Sequence, residues 1–161
     1  MKKRVLALLI GIIAVSILLS GCGKKVESKS ELVDIYKKLD AQDFQAQGLS
    51  GNKAQADKLL KEIYTEPQLS KAIQYVDEMR GNHVRLELYE VQYNKAEVLE
   101  QEATTAKLHI ESKPRGDYFT ISQPSNKLGP LEQDVNYDVK IKKIGDKWLI
   151  SEVLPIKEEQ K

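Results

Sequence analysis

The pattern of apolar and polar positions divides the chain into three parts. An apolar run from Val5 to Leu19 comes first, interrupted only by Gly11 and Ser16. A segment follows in which apolar residues recur every three or four positions, and then segments in which apolar and polar residues alternate. Helical spacing indicates amphipathic helices, and alternation indicates half-buried strands. The pattern predicts a short apolar leader followed by one domain in which helices precede strands.

The first two predicted helices have clear start and stop signals. Ser28 and Glu31 have the spacing of a capping box, so we expect Ser28 to be the N-cap of the first helix. The glycine- and asparagine-containing stretch 48–52 ends that helix. The second helix is expected over residues 53–64, where Ala56, Leu59, Leu60 and Ile63 share one face.

A third helix is expected to start within the sequence Thr-Glu-Pro-Gln at residues 65–68. Thr65 can cap it, Pro67 suits the first turn, and Gln68 can bond back to the cap. Gly81 is the expected C-cap, because glycine adopts the left-handed conformation that ends many helices.

Four strands are predicted in the second half. Their alternating segments lie at residues 84–93, 104–111, 135–142 and 148–154. The parity of the first changes at Leu88-Tyr89, which predicts a bulge there, and residues 120–130 are expected to form a long loop. One wet and one buried face are typical of an antiparallel sheet. The predicted fold class is therefore α+β, with the helices packed on one face of a curved four-stranded antiparallel sheet.

The apolar leader has the features of a secretory signal. Lys2, Lys3 and Arg4 form a basic start, and small residues follow the 15-residue apolar run. The run is shorter than the roughly 20 residues that a transmembrane helix needs. Leu19, Ser20, Gly21 and Cys22 resemble the lipobox of bacterial lipoproteins. In that family diacylglycerol is attached to the cysteine, and signal peptidase II cuts before it.

This resemblance implies that Cys22 is the lipidated mature N-terminus. The expected organisation is a signal peptide over 1–21, lipidated cysteine and tether over 22–30, a domain over 31–155 and a charged tail over 156–161. Two or three acyl chains hold a protein on a bilayer where one does not. An uncleaved N-terminal anchor with an incidental cysteine is the alternative. Both interpretations place residues 23–161 outside the cytoplasm, with the membrane as a partner.

The last predicted hairpin, from Tyr137 to Ile150 with Gly145 and Trp148 inside it, carries a second resemblance. It is similar to the closing hairpin of extracytoplasmic NTF2-like (cystatin-like α+β) domains. Within that group, the layout of residues 31–154 resembles the intermembrane-space-type domain of chloroplast-division proteins and related bacterial lipoproteins. Those domains are protein-contact modules, so the resemblance implies binding of a protein partner in an envelope assembly.

Composition excludes several classes of function. The 161 residues include one cysteine, which excludes an intramolecular disulfide and any multi-cysteine metal site. Residues 1–21 contain three of the 25 basic residues and no acidic one, so the chain from Cys22 has 22 basic and 24 acidic residues. This balance argues against nucleic-acid binding. No phosphate loop, zinc spacing, EF-hand or nucleophile elbow occurs, so no cofactor or metal is expected.

Few residues suggest chemistry. The expected inward positions of the second to fourth strands hold no Asp, Glu or His, and the row Asp34, Asp40 and Asp43 has the spacing of a solvated helix face, so we do not expect an enzyme. His83 and His109 are expected at the surface. The aromatic residues Tyr89, Tyr93, Tyr118, Tyr137 and Trp148 are candidates for a pocket or contact surface, with packing in the sheet core as the alternative. A small-molecule or lipid-binding module that uses the interior of the curved sheet is the second functional hypothesis.

Overall fold

The computed structural model describes residues 26–156. The signal peptide, Leu19, Ser20, Gly21 and Cys22 lie outside the described residues, as do the tether up to residue 25 and the tail from residue 157. The lipobox and the proposed domain boundaries therefore stay predictions.

Three helices form the first half of the domain: α1 (Lys29–Gly48), α2 (Lys53–Ile63) and α3 (Gln68–Gly81). The capping box at α1 is confirmed, because the Glu31 N–H donates to Ser28 Oγ at 3.2 Å and the Ser28 N–H donates to Glu31 Oε2 at 2.7 Å. Asn52 caps α2 by accepting from the Gln55 N–H at 3.3 Å. Capping and helical spacing thus determine where α1 and α2 begin.

The two ends of α3 differ from the prediction. Its N-cap is Pro67, which offers no side-chain cap, and Glu66 Oε2 accepts instead from the Ser70 N–H at 3.3 Å. Thr65 precedes this cap by two residues, and its N–H donates to Ile150 O at 2.9 Å, which ties the segment to the sheet. Gly81 is the last helical residue and not the C-cap, and the left-handed conformation falls on His83, whose φ is 58°.

A five-stranded antiparallel sheet follows, where four strands were predicted. The strands are β1 (Val84–Gln101), β2 (Thr105–Thr120), β3 (Lys127–Glu132), β4 (Val135–Ile144) and β5 (Lys147–Pro155). The order is β1-β2-β4-β5, and β3 pairs with the last part of β2 beyond the end of β4. The missed strand contains Gly129 and Pro130, which disfavour strands locally. Pairing with Arg115–Phe119 overrides that preference.

The bulge predicted at Leu88-Tyr89 is confirmed, since the register of β1 on β2 shifts between Leu88 and Glu90. Two further shifts occur, between Tyr93 and Lys95 and between Val98 and Glu100. Each bulge bends the strand and increases its twist. Gly116 pairs with Leu88 beside the first bulge, and a Cβ there would lie 2.3 Å from Glu87 O, so the close approach of β1 requires glycine.

The helices pack on one face of the sheet around a shared apolar core. Fully buried members include Leu32 from α1, Leu60 from α2, Leu108 from β2 and Ile141 from β4. A smaller cluster of Met79, Leu86 and Leu131 lies where α3 meets β1 and β3. Within residues 26–156, no helix combines the length and the apolar character needed to cross a bilayer.

Candidate functional site

A half-open cavity of about 300 Å³ lies between the helices and the sheet. Its floor is formed by Tyr36, Asp40 and Asp43 of α1, by Tyr64 after α2 and by Tyr137 of β4. We call it the tyrosine cavity. Positions 36, 40 and 43 of one helix are three and four residues apart, so their side chains share a face. The amphipathic pattern of α1 therefore presents polar groups to the sheet beside buried Leu32 and Leu39.

Asp40 is the centre of a hydrogen-bond network. Its Oδ1 accepts from the Tyr36 hydroxyl at 3.2 Å, and its Oδ2 accepts from the Tyr93 hydroxyl of β1. The hydroxyls of Tyr36 and Tyr137 are also hydrogen-bonded to each other. An ionised carboxylate only accepts, so Tyr36 donates to Asp40 and Tyr137 donates to Tyr36. The tyrosine hydroxyls of the sheet therefore act as donors, and the Asp40 carboxylate is the final acceptor.

Asp43 has its own partners one turn further along α1. Its Oδ2 accepts from Gln47 Nε2 at 2.9 Å, and the Tyr64 hydroxyl hydrogen-bonds to the same carboxylate. The prediction of a solvated carboxylate row is therefore wrong for Asp40 and Asp43, because Tyr93 of β1 bonds to Asp40 and Tyr64, directly after α2, bonds to Asp43. Only Asp34 is exposed.

Asp40 and Asp43 bear on the expectation that this chain is not an enzyme. That expectation depended on the absence of acidic residues from the inward positions of the strands, and these two carboxylates enter the cavity from a helix instead. The absence of catalysis stays a prediction.

Burial controls the ionisation of the network. It raises the pKa of Asp40 from 3.8 to about 6, against the hydrogen bonds from Tyr93 and Tyr36, and nearby Asp43 adds to the rise. Burial likewise raises the pKa of Asp43, opposed by Tyr64 and Gln47. The pKa values of the Tyr36 and Tyr64 hydroxyls are also raised, first by burial. The tyrosines therefore stay protonated donors at any ordinary pH.

This ionisation predicts a pH-dependent stability. Because Asp40 binds its proton more tightly in the folded state, its contribution falls as pH rises from about 4 to about 6. The loss is on the order of 2–3 kcal/mol, since one pKa unit corresponds to about 1.4 kcal/mol. We expect Asp40→Asn to gain stability relative to the wild type over this interval, as measured by urea unfolding at several pH values. Asp34→Asn is the control, and a pH-independent difference between wild type and Asp40→Asn would disprove the assignment.

The predicted aromatic site residues are only partly brought together. Tyr118 and Tyr137 line the tyrosine cavity, and Tyr93 bonds to its central carboxylate. Tyr89 is 63% exposed and bonds to Asp117 elsewhere on the sheet. Trp148 packs in the core, as the alternative interpretation held, beneath the Lys143 ammonium at 5.8 Å. Sequence reasoning missed Tyr36, Tyr64, Tyr75 and both carboxylates, although the spacing of Tyr36, Asp40 and Asp43 was a usable signal.

An apolar groove continues from the mouth of the cavity. It has a volume of about 430 Å³ and lies between α3 and β3. Its apolar residues are Tyr75, Met79, Val84, Tyr118 and Leu128. Tyr75 and Tyr118 line both the cavity and the groove, and Tyr75 and Leu128 are 45% and 51% exposed. Burial and the Tyr118 hydroxyl raise the pKa of Tyr75 to about 12.

The histidines lie outside both features. His109 Nδ1 is 3.0 Å from Asp138, and its Nε2 is 3.1 Å from Glu111, so Asp138 chiefly raises its pKa. His83 is exposed at the turn into β1. Among residues 26–156 no group of three or more His, Cys, Asp or Glu side chains has the geometry of a metal site.

Comparison with solved structures identifies similar folds. The chain is similar to the intermembrane space region of the chloroplast protein ARC6, with a TM-score of 0.54 and 12% identity over 74% of this chain and 94% of that one. It also matches the Kfla4162 protein from Kribbella flavida, with a TM-score of 0.48 and 11% identity over 76% and 87% of the two chains. No protein-family model matches, and a comparison with curated proteins finds no significant match. The resemblance to the intermembrane-space type of domain is thus supported at the level of the fold.

Proposed function

We propose that this chain is a membrane-anchored extracytoplasmic lipoprotein whose NTF2-like domain binds a protein partner in an envelope assembly. The anchor rests on the lipobox-like residues Leu19 to Cys22. The fold of the domain is similar to that of the intermembrane space region of a chloroplast protein. The observation that carries partner binding is the apolar groove, which shares Tyr75 and Tyr118 with the tyrosine cavity.

The position of the groove relative to the tether supports this proposal. Glu27, five residues after Cys22, is held at the far end of β1 and β4, where Lys143 Nζ lies 2.5 Å from its carboxylate and Gln101 Nε2 donates to its carbonyl at 2.6 Å. Five extended residues span at most about 17 Å, so a lipidated Cys22 keeps this end near the bilayer.

The groove lies at the opposite end, where β1 starts and β2 finishes. Val84 opens β1 and Tyr118 is near the end of β2, whereas Gln101 closes β1 at the tether. The 18 residues of β1 cover up to about 60 Å at 3.3 Å per residue. The groove therefore points away from the membrane, towards soluble or opposing proteins. Exposed aromatic and aliphatic residues that adjoin one another are typical of such contact surfaces.

A small-molecule or lipid-binding role is the second candidate. It is favoured by the tyrosine cavity, which stays open at about 300 Å³ with Tyr137 in its floor. This volume is at the lower limit of ligand pockets, roughly 300–1,000 Å³. The cavity therefore suits a small ligand or a single side chain of a larger one.

Photo-crosslinking tests partner binding. A photoreactive amino acid at Leu128 in the groove is expected to give a discrete crosslinked protein in native membranes. The matched control is Leu99, which is a comparably exposed leucine, at 44% against 51%, near the tether end. Equal crosslinking from both positions, or none from Leu128, would contradict binding at the groove.

A further inference from the structure

The tyrosine cavity has the chemistry of a site for a cation. We infer that it receives the ammonium or guanidinium group of a Lys or Arg side chain presented by the protein partner. This inference rests on the proposed function, because it names the chemistry of the partner that the adjoining groove would hold. The half-open shape, the aromatic walls and the direction of the hydrogen bonds all favour such an occupant.

The floor of the cavity offers acceptors. The Tyr36 and Tyr93 protons are directed to Asp40, the Tyr137 proton to Tyr36, and the Gln47 and Tyr64 donors to Asp43. Carboxylate oxygens and the Tyr137 oxygen are the acceptors that the floor offers an occupant, while Gln68, Ser112 and Gln133, which can donate, lie elsewhere in the lining. A group that fits such a floor must donate hydrogen bonds, and two adjacent carboxylates favour a positive donor.

The walls favour the same occupant. In addition to the tyrosines of the floor, the rings of Phe44, Tyr75 and Tyr118 line the cavity. Aromatic faces attract cations, and the attraction increases when water is excluded. The aliphatic stem of lysine or arginine would lie between these rings while its head reaches the carboxylates.

The charges around the cavity agree with this occupant. The charged residues in its lining are Asp40, Asp43 and Lys71, which leaves a negative balance when both carboxylates are ionised. Lys71 is exposed on α3, and its charge acts on Glu152 of β5 outside the lining. Glu78 adds a further acidic group to the groove. A partner segment with an apolar residue for the groove and a neighbouring basic residue for the cavity is complementary to both.

The test uses the full chain in detergent micelles with labelled tyrosine rings, observed by NMR. The probes are a blocked tripeptide with a central lysine, the same tripeptide with acetylated lysine, and n-butylamine. We expect the lysine peptide to shift the Tyr118 and Tyr137 signals. We expect acetylation or Asp40→Asn to weaken its binding about tenfold, which equals about 1.4 kcal/mol. Asp34→Asn changes the charge equally at an exposed position and should leave binding unchanged.

Each outcome has a defined meaning. Unchanged binding after acetylation or in Asp40→Asn would overturn the inference, as would a lysine peptide that shifts no signal. If n-butylamine binds as tightly as the peptide, the occupant is a free amine, and the inference that a protein partner supplies the cation is wrong. If Asp40→Asn does not fold, Tyr137→Phe removes one acceptor oxygen, keeps the ring, and should weaken binding measured at Tyr118.

The inference and the proposed function fail differently. If position 128 gives no crosslink but the lysine peptide still binds, the groove is not a partner-binding site, and the cavity remains a site for a cation. A Leu128 crosslink that is unaffected by Asp40→Asn would refute the cavity as part of the partner contact. A crosslink that weakens in Asp40→Asn and not in Asp34→Asn supports both.

Discussion

Gly116→Ala is expected to lower the free energy of unfolding by roughly 2–4 kcal/mol. The added Cβ would lie 2.3 Å from Glu87 O and 3.1 Å from the Leu88 Cα, and both are backbone atoms of β1 that cannot rotate away. Relief requires β1 to move off β2 at the bulge that shapes the sheet. Urea unfolding of the variant and the wild type measures the loss.

Gly129→Ala is the matched control for this prediction. Gly129 lies in β3 on the same part of the sheet, and a Cβ there would meet nothing within 4 Å. Its unfolding free energy should stay within about 0.5 kcal/mol of the wild type. Equal losses in both variants would mean that the close approach of β1 at Gly116 does not shape the sheet.

Local signals were sufficient for most of the fold. Capping at Ser28, helical spacing to Ile63 and alternation in β2 and β4 each predict the element that forms, because packing and local preference agree there. β3 was missed because Gly129 and Pro130 disfavour a strand. The strand forms because it pairs with the last residues of β2, from Arg115 to Phe119. Thr65 was misassigned as the cap, and its N–H bonds to Ile150, a contact 85 positions away that no local pattern contains.

The site was less accessible than the fold. The sequence pointed to Tyr118 and Tyr137 as aromatic candidates, but a tyrosine in an alternating strand is compatible with core, pocket and surface alike. Trp148 is buried in the core, and Tyr89 is exposed at the surface. Asp40 and Asp43 resembled an ordinary solvated row because their partners Tyr93 and Tyr64 come from other elements. Tertiary packing decides which face of α1 meets the sheet, and the local sequence pattern does not reveal it.

The burial of Asp40 among tyrosines is an unfavourable arrangement, and a binding role of the cavity would give a reason for it. Holding Asp40 ionised among buried tyrosines costs stability at neutral pH. A purely structural core would do better with apolar side chains at these positions. Such a cost is typical of binding sites, which favours a functional use of the cavity over a packing role.

Replacement of Cys22 by serine is expected to have the largest effect on the working protein. Without the thiol no diacylglycerol can be attached, and cleavage before residue 22 by signal peptidase II should stop. Since the proposed anchor consists of acyl chains attached at this cysteine, we expect complete loss of incorporated palmitate. An uncleaved apolar leader can still retain some protein at the membrane, so the lipid label is the decisive readout for the anchor.

The proposed role of this chain is that of a lipid-anchored binding domain. It is tested most directly by expressing wild-type and Cys22→Ser chains, each with the photoreactive residue at position 128, in cells fed radioactive palmitate. We expect a labelled wild-type protein that crosslinks to a discrete partner, and a Cys22→Ser protein that carries no palmitate. Retained palmitate in Cys22→Ser, or a wild-type protein that crosslinks to no discrete partner, would contradict this role.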